Sequence, residues 1–542
     1  MNNKGFAISG ILYSILVLFL VLISLFLFSI QNKKRILDTL KNDALKSIEG
    51  VLSENDQLTF TLMKDNEIIY KDSITRDYFN YNIEQNDITN ISCNNKAIPS
   101  YSNSVLTVNN ITKNTTCILS SSINYTFDNL GASETNILMI NDEKITKTLD
   151  IESDKKVKFN LNGKNVEIYN PNDLNEETKT WNGNYTLFIV AGQLTINDDG
   201  NHGNLISYIG SPVINVIDAG KVVINGGIYN GRNTVQHYGD IEGNYFIIND
   251  GIFTSKLYSI IYLNTDEAFA KINGGHFEVD NSTATAVSND KGTIVINDGY
   301  FKAKVRSVLN MNGTMTINDG YYLSTNNYTI GETGSGTMTI NGGVFISDVH
   351  SAINNVSTGT INISQTNKPI YVSSKAINTS NSNPAIRNTS TGTINIKSNT
   401  ANNCTNNASD TTSGLCVYAE GDKNYSDVSA NLALQNAASG NVNINGGTFY
   451  GGHQAINNNS SGVIKITNAQ ILSGNRGINN YNNGTVNICN STINATTVDL
   501  RNTLEGVINY NANMIFTNGT NTPTVYNPNG TINANYSGTC EA

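Results

Sequence analysis

A short pattern that returns at near-regular intervals is the feature that most constrains the fold of this 542-residue chain. The pattern reads Ile-Asn-Gly-Gly or Ile-Asn-Asp-Gly, followed by one variable residue and then an aromatic residue. Neighbouring copies lie roughly 21–28 residues apart, a period that indicates a solenoid whose units stack and share one core. Full copies begin at Ile224, Ile248, Ile272, Ile296, Ile317, Ile340 and Ile444.

Each repeat divides into three short strands joined by turns. Apolar and polar residues alternate in residues 293–296 and 314–317, which predicts strands with one buried face. Asn and Gly follow, and both tolerate the left-handed backbone of a tight turn. The aromatic strand comes next, and a third strand follows, as at residues 455–458. Coils stacked about 4.8 Å apart then make a mainly β fold, a parallel β-helix with three strands per coil.

Two positions of the repeat are predicted to stack from coil to coil. The turn Asn is expected to form a ladder in which each amide bonds to the next; a row of ligand-binding amides is the functional alternative. The aromatic residue is expected to stack inside the coil, and the variable residue before it to face outward. The ladder comprises Asn225, Asn249, Asn273, Asn297, Asn318, Asn341 and Asn445. The aromatic stack comprises Tyr229, Phe253, Phe277, Phe301, Tyr322, Phe345 and Phe449.

The repeat resembles the right-handed parallel β-helix of the pectin-lyase-like superfamily. It is more similar to the Asn-rich surface-protein branch of that fold in bacteria, and residues 149–164 and 194–198 resemble the first coils of those proteins. The resemblance spans roughly residues 145–540 and implies the fold strongly and an activity weakly. We therefore expect a β-helix over 146–542, with a loop insertion near 397–440 and a β-rich segment over 56–145.

The first 55 residues have a different character. Residues 6–30 contain no charged side chain, and about twenty apolar residues in a helix suffice to cross a bilayer. The sequence predicts a single-pass membrane anchor and an amphipathic helical stem over residues 1–55. Lys4-Gly5-Phe6 before this segment resembles a type IV prepilin leader. Gly10 stands where that family has Glu, which departs from the pattern that guides filament assembly.

Six cysteines bear on the location of the solenoid. An even count without a CxxC pair favours disulfides and an oxidising compartment, hence the extracellular side of a cell membrane. The basic residues after the apolar segment favour the opposite orientation, although long domains translocate largely regardless of flanking charge. Six free thiols in a cytosolic solenoid are the alternative. The pairs expected from position are Cys93 with Cys117, Cys404 with Cys416, and Cys489 with Cys540.

Chemistry-bearing motifs are few. Asn264-Thr265-Asp266 and Asp198-Asp199 resemble polygalacturonase fragments but occur in the reverse order. Asp250, Asp298 and Asp319 occupy the repeated turn, where turn formation accounts for them. The five histidines form no short-spaced metal pair, so no metal or cofactor is expected. A net charge of −10 disfavours nucleic acid.

These features predict a membrane-anchored bacterial cell-surface β-solenoid that is not an enzyme. It would act as an adhesin-like protein or a structural stalk, and it would bind a glycan or another surface through exposed aromatic residues and large loops. A polysaccharide lyase or hydrolase is one alternative, and a pilin-like filament subunit is another.

Overall fold

The computed structural model describes most of the chain beyond the predicted anchor. The described residues are 57–83, 87–168, 186–200, 202–207, 211–231, 233–255, 257–375, 383–420, 431–519 and 522–540, with the backbone of the hairpin Leu174–Asn175 and Thr180–Trp181. The predicted anchor and stem over residues 1–55, the membrane segment 6–30 and the prepilin-like leader lie outside them. Within the described ranges, no helix is both long and apolar enough to cross a membrane.

Three parallel sheets form the body of the protein, and each coil contributes one strand to each sheet. This confirms the predicted parallel β-solenoid. Sheet 1 holds the strands that precede the Asn-Gly turn: Thr135–Met139, Lys156–Asn160, Gln193–Asn197, Lys221–Ile224, Tyr245–Ile248, Phe269–Ile272, Thr293–Ile296, Thr314–Ile317, Thr337–Ile340, Thr360–Ser364, Thr393–Lys397, Asn441–Asn445, Val463–Thr467, Thr485–Cys489, Val507–Tyr510 and Thr531–Asn533.

Sheet 2 holds the strands that follow the Asn-Gly turn, and sheet 3 holds those that complete each coil. The strands of sheet 2 are Glu143–Ile145, Val166–Ile168, Asn204–Ile206, Ile228–Gly231, Ile252–Ser255, His276–Val279, Tyr300–Ala303, Tyr321–Ser324, Gly343–Ser347, Ile370–Ser374, Leu415–Ala419, Thr448–Gly451, Gln470–Ser473 and Thr492–Ala495. The strands of sheet 3 are Leu149–Ile151, Phe188–Val190, Ile214–Val216, Val235–His237, Ile261–Leu263, Thr285–Asn289, Arg306–Asn310, Ile330–Glu332, Ile353–Asn355, Ile386–Asn388, Leu432–Asn436, Gln454–Asn458, Arg476–Asn480, Val498–Asn502 and Val525–Tyr526.

The period-two pattern of the strands places one row of apolar side chains inside the solenoid. In Thr293–Ile296 the side chains of Ile294 and Ile296 are fully buried, whereas Thr293 and Val295 face outward. Each strand pairs in register with its counterpart in the next coil, so equivalent residues stack directly above one another. Equivalent residues of successive coils thus form a continuous row along the solenoid, called here a column. A substitution in one coil changes one residue of that column.

Aromatic rings form part of the core column of sheet 2. Consecutive rings from Tyr229 to Phe345 are separated by 4.6–4.9 Å and are nearly parallel, with interplanar angles of 2–10°. Phe449 occupies the same column but not the same stack, because Val372 and Val417 lie between it and Phe345. The members of the continuous stack are Tyr229, Phe253, Phe277, Phe301, Tyr322 and Phe345, all fully buried.

An N-terminal β unit closes the first end of the solenoid. Its strand Asn90–Cys93 runs antiparallel to Thr135–Met139, which joins the unit to sheet 1. A short helix, Ile123–Asp128, is capped by Ser122 and places Phe127 against Phe159 and Phe188 of the first coils. The other strands that extend sheet 1 are Leu58–Lys64, Glu67–Ile74 and Thr115–Ser120; a separate antiparallel sheet contains Phe79–Asn82, Ile98–Ser102 and Val105–Asn109.

Two boundaries differ from the predicted ones. The parallel stack begins at Thr135–Met139 rather than at residue 146, because that strand pairs with Lys156–Asn160. The segment 397–440 is not a single loop: it contributes Leu415–Ala419 to sheet 2 and Leu432–Asn436 to sheet 3, so it is a coil with enlarged turns. The first of these enlarged turns contains the 3₁₀ turn Ala408–Asp410. A second 3₁₀ turn, Thr517–Gly519, lies near the last strands of the solenoid.

Candidate functional site

The predicted turn asparagines form an amide ladder on the edge of sheet 1. Each side-chain Nδ2 donates to the Oδ1 of the preceding rung at 2.6–2.9 Å, which gives an unbroken series of seven amides, called here the exposed ladder. Its rungs are Asn197, Asn225, Asn249, Asn273, Asn297, Asn318 and Asn341. Asn445 occupies the same position but lies apart from this series, since Ser364 and Lys397 intervene, and it accepts a hydrogen bond from Asn468.

A second ladder lies inside the solenoid, at the ends of the sheet 3 strands. The amides of this buried ladder donate to a glycine carbonyl of the following turn, and most of them also donate to the next rung at 2.6–3.2 Å. The rungs are Asn289, Asn310, Glu332, Asn355, Asn388, Asn436, Asn458, Asn480 and Asn502, all fully buried. Sequence reasoning missed this ladder, although its signal, an Asn three or four residues before a Gly, is visible in the third strand of each repeat.

Glu332 is the one carboxyl rung of the buried ladder. Its Oε2 accepts a hydrogen bond from Asn310 Nδ2 at 2.6 Å, and its Oε1 lies 3.3 Å from the Gly334 amide nitrogen. Burial raises the pKa of the Glu332 carboxyl from 4.5 to about 7, and the hydrogen bond from Asn310 opposes that rise. The next rung, Asn355, has a buried Oδ1 without a hydrogen-bond donor. A protonated Glu332 has an O–H to donate at this level of the ladder.

The outer face of sheet 2 carries a row of exposed rings, called here the aromatic strip. It consists of His276, Tyr300 and Tyr321, which are equivalent residues of three successive coils. Ring centroids are 4.7 Å apart between His276 and Tyr300 and 5.4 Å apart between Tyr300 and Tyr321, with the rings nearly parallel. These residues are the variable position of the repeat, which the sequence predicted to face outward. All three side chains are half-buried, so ring surface remains open to solvent.

Apolar neighbours extend the aromatic strip at both ends. Ile252 precedes His276 in the same column and is 40% exposed, and Val344 follows Tyr321. Burial raises the pKa of the Tyr321 hydroxyl, and the neighbouring Tyr300 raises it further. The aromatic strip and its two apolar neighbours together form a flat platform that spans five successive coils.

Charged side chains line one edge of the aromatic strip. Glu278 accepts a hydrogen bond from Lys302 Nζ at 2.7 Å, and its second oxygen lies 3.6 Å from His276 Nε2. The hydrogen bond from Lys302 holds the pKa of the Glu278 carboxyl below its ordinary value. This edge supplies hydrogen-bond donors and acceptors within one or two coils of the rings.

The first enlarged turn of the 397–440 segment covers the far end of the strip. Cys404 and Cys416 are joined by a disulfide, and the hydroxyl of Tyr371 donates to the carbonyl of Thr405 at 3.2 Å. A small separate core of Ile346, Tyr371, Ala401 and Cys416 lies beneath this turn. Tyr321 and Val344 pack against this small core, so the turn is fixed against the outer face of sheet 2 at this end of the strip.

The other predicted cysteine pairs are also bonded, Cys93 to Cys117 in the N-terminal unit and Cys489 to Cys540 near the end of the solenoid. No described cysteine is free.

The aspartates of the repeated turn are engaged in local hydrogen bonds and ion pairs. Asp198 accepts hydrogen bonds from the amides of Gly163 and Gly203 at 2.7 and 2.8 Å. Asp250 and Asp298 each accept from the glycine amide that follows them, and Asp319 pairs with Lys368. Among the described residues, no three His, Cys, Asp or Glu side chains are placed to hold a metal ion together.

Protein-family models, curated protein sequences and solved structures were compared with this chain, and none of them matches.

Proposed function

We propose that this protein is a non-catalytic, surface-displayed β-solenoid that binds a carbohydrate along the aromatic strip. The observation that carries the proposal is the flat, solvent-accessible stack of His276, Tyr300 and Tyr321 beside a hydrogen-bonding edge. Amphipathic rings offer an apolar face to the C–H surface of a sugar, while neighbouring polar groups bond to its hydroxyls. The enlarged turn closed by Cys404 and Cys416 would limit the ligand at one end.

Surface display is supported by the sequence and by the disulfides. Residues 6–30 have the length and composition of a membrane anchor, and three disulfides suit an oxidising compartment. The repeat pattern supports membership of the right-handed, pectin-lyase-like class of parallel β-helix. In this arrangement the solenoid acts as a rigid stalk that presents its outer faces.

A glycan-binding screen with the full-length chain tests the binding proposal. Tyr300→Ala and Tyr321→Ala are expected to weaken binding to the best glycan at least tenfold each, because each removes a stacking ring from the centre of the platform. Tyr481→Ala is the matched control, since Tyr481 is 40% exposed but lies outside sheet 2. Equal losses in all three variants would contradict a site on the strip, as would unchanged binding in the first two.

Protease treatment of intact cells tests the surface location. Cleavage that removes the solenoid while a cytosolic marker stays intact is expected if the domain faces outward. Protection of the solenoid on intact cells, with cleavage after lysis, would place it inside and contradict the proposal.

A further inference from the structure

A cleft opens where the N-terminal β unit meets the outer face of sheet 1. Its volume is about 440 Å³, which lies within the range of about 300–1,000 Å³ that is usual for small-molecule sites. One wall comes from the start of the strand Ile98–Ser102, and the other comes from outward side chains of the first coils. This space is called here the junction cleft, and its lining includes Lys96, Ile98, Pro99, Asn160, Asn197 and Asp199.

The exposed ladder ends in the junction cleft. Each rung donates to the preceding one, so the Oδ1 of the first rung, Asn197, accepts from Asn225 Nδ2 at 2.8 Å. The Nδ2 of Asn197 is then the donor at the end of seven aligned amides. Amides in such a chain polarise one another, which strengthens the hydrogen bond that the last amide can donate. Asn197 therefore offers the cleft an N–H group that is suited to a carbonyl acceptor.

The preceding residue of this column does not accept that hydrogen bond. Asn160 lies in register with Asn197, but its Nδ2 donates to Asp199 Oδ2 at 2.7 Å. The Oδ1 of Asn160 already accepts from the backbone amides of Asn162 and Asp199, at 3.0 and 3.3 Å. Within the described ranges, Asn197 Nδ2 thus has no acceptor and Asp199 Oδ1 has no donor. The cleft is lined by a donor and an acceptor that no protein group pairs.

The opposite wall of the junction cleft is mainly apolar. Ile98 is 52% exposed, and Pro99 beside it is buried. Asn110 holds the start of this wall, because its Nδ2 donates to the carbonyl of Lys96 at 3.0 Å. The side chain of Lys96 is exposed and takes part in none of the ion pairs of the described residues. Its ammonium group can therefore donate to a ligand.

We propose that the junction cleft binds an N-acetylated amino sugar, with the acetamido group between Asn197 and Asp199. The acetamido carbonyl accepts from Asn197 Nδ2 and extends the ladder by one amide, while the acetamido N–H donates to Asp199 Oδ1. The methyl group lies against Ile98 and Pro99, and a ring hydroxyl accepts from Lys96 Nζ. The cleft lies on sheet 1 and the aromatic strip on sheet 2, so this site does not depend on the proposed strip.

Calorimetric titration of the detergent-solubilised full-length chain tests this site, with diacetylchitobiose and cellobiose as separate probes. The two disaccharides share one linkage and differ in the acetamido groups, so diacetylchitobiose is expected to bind at least about tenfold more tightly. Asn197→Asp keeps the size of the side chain but replaces the donor by an acceptor, and it is expected to weaken diacetylchitobiose binding at least about tenfold. Asp199→Ala removes the acceptor and releases Asn160 to accept from Asn197, so a similar loss is expected.

Asn341→Asp is the matched control, because it makes the same substitution at the other end of the exposed ladder. This variant and Tyr300→Ala on the aromatic strip are expected to bind diacetylchitobiose as the wild type does. Equal losses in Asn341→Asp, cellobiose binding as tight as diacetylchitobiose binding, or no binding by the wild type would overturn the proposal. Tighter binding of an N-acetylated, C-amidated dipeptide would assign the cleft to a peptide instead. Binding that is lost in Tyr300→Ala but kept in Asn197→Asp would place the sugar on the strip and also overturn the proposal. Circular dichroism spectra that match the wild type establish that each variant is folded.

Discussion

Replacement of Glu332 by Gln is expected to stabilise the solenoid above neutral pH and to change its stability little in acid. Burial raises the pKa of the Glu332 carboxyl from 4.5 to about 7, so the folded chain keeps a proton that the unfolded chain has already released. Because the unfolded state binds fewer protons between these two values, the free energy of unfolding falls as the pH rises through them. Below 4.5 both states are protonated, and this penalty disappears.

The size of the effect follows from the difference between the two pKa values. Each pKa unit corresponds to about 1.4 kcal/mol, so a rise from 4.5 to about 7 lowers the stability of the wild type by about 3 kcal/mol at pH 8. Gln stays neutral at every pH, and its Nε2 amide group can donate to the buried Oδ1 of Asn355, which has no donor in the structure. Glu332→Gln therefore removes the ionisation cost and supplies the missing donor.

Urea unfolding of the wild type and Glu332→Gln at pH 4.5 and pH 8 measures this difference. The variant is expected to gain about 3 kcal/mol relative to the wild type between the two pH values. Asn458→Asp is the matched control, because it places a carboxyl in an all-amide part of the same buried ladder and should introduce the same pH dependence. A stability difference between Glu332→Gln and the wild type that stays constant across this pH range would refute the reasoning.

Four further variants test the stacked rings, the two amide ladders and the disulfide-closed turn. Phe277→Ala should lower the free energy of unfolding by about 3–5 kcal/mol in urea unfolding, since it opens a cavity in a fully buried stack; a loss below 1 kcal/mol would contradict tight stacking. In the same assay Asn458→Ala should lower the free energy of unfolding by about 3 kcal/mol, because it leaves buried hydrogen-bonding partners unpaired. Asn273→Ala on the exposed ladder should lower it by about 1 kcal/mol. Equal losses in the two variants would contradict an effect of burial. Cys404→Ser with Cys416→Ser should make residues 398–414 sensitive to limited proteolysis. The disulfide closes a loop of 12 residues, which lowers the conformational entropy of the unfolded turn and so stabilises its folded form by about 3 kcal/mol. Cleavage elsewhere in the solenoid would contradict a local role.

The spacing and residue pattern of the repeat predicted most of the solenoid, because strand alternation and turn formation depend on residues that are close together in the sequence. The alternation of Thr293–Ile296 specifies which side chains are buried, and the Asn-Gly turn after it sets where the next strand starts. Once the repeat is known, stacking places Asn249 on Asn225 and Phe253 on Tyr229 without further information. The same argument gives the outward position of the aromatic strip.

Non-local pairing accounts for what the sequence did not predict. The N-terminal unit joins sheet 1 through the antiparallel strand Asn90–Cys93, and no repeat marks that contact. The departure of Asn445 from the exposed ladder depends on the two intervening residues Ser364 and Lys397, whose coils break the repeat motif.

The alternation of inward and outward side chains separates stability from recognition in this fold. Core columns and amide ladders hold successive strands about 4.8 Å apart, and that spacing fixes every outward row as well. The outward side of sheet 2 carries a row of rings, and that of sheet 3 carries arginines such as Arg387 and Arg501, although the core behind both sheets is aliphatic or aromatic. Substitutions at distant positions on the two outer faces are expected to have additive effects on binding and on stability. A solenoid of this kind can therefore acquire or lose a ligand on one face without a compensating change in the core or on another face.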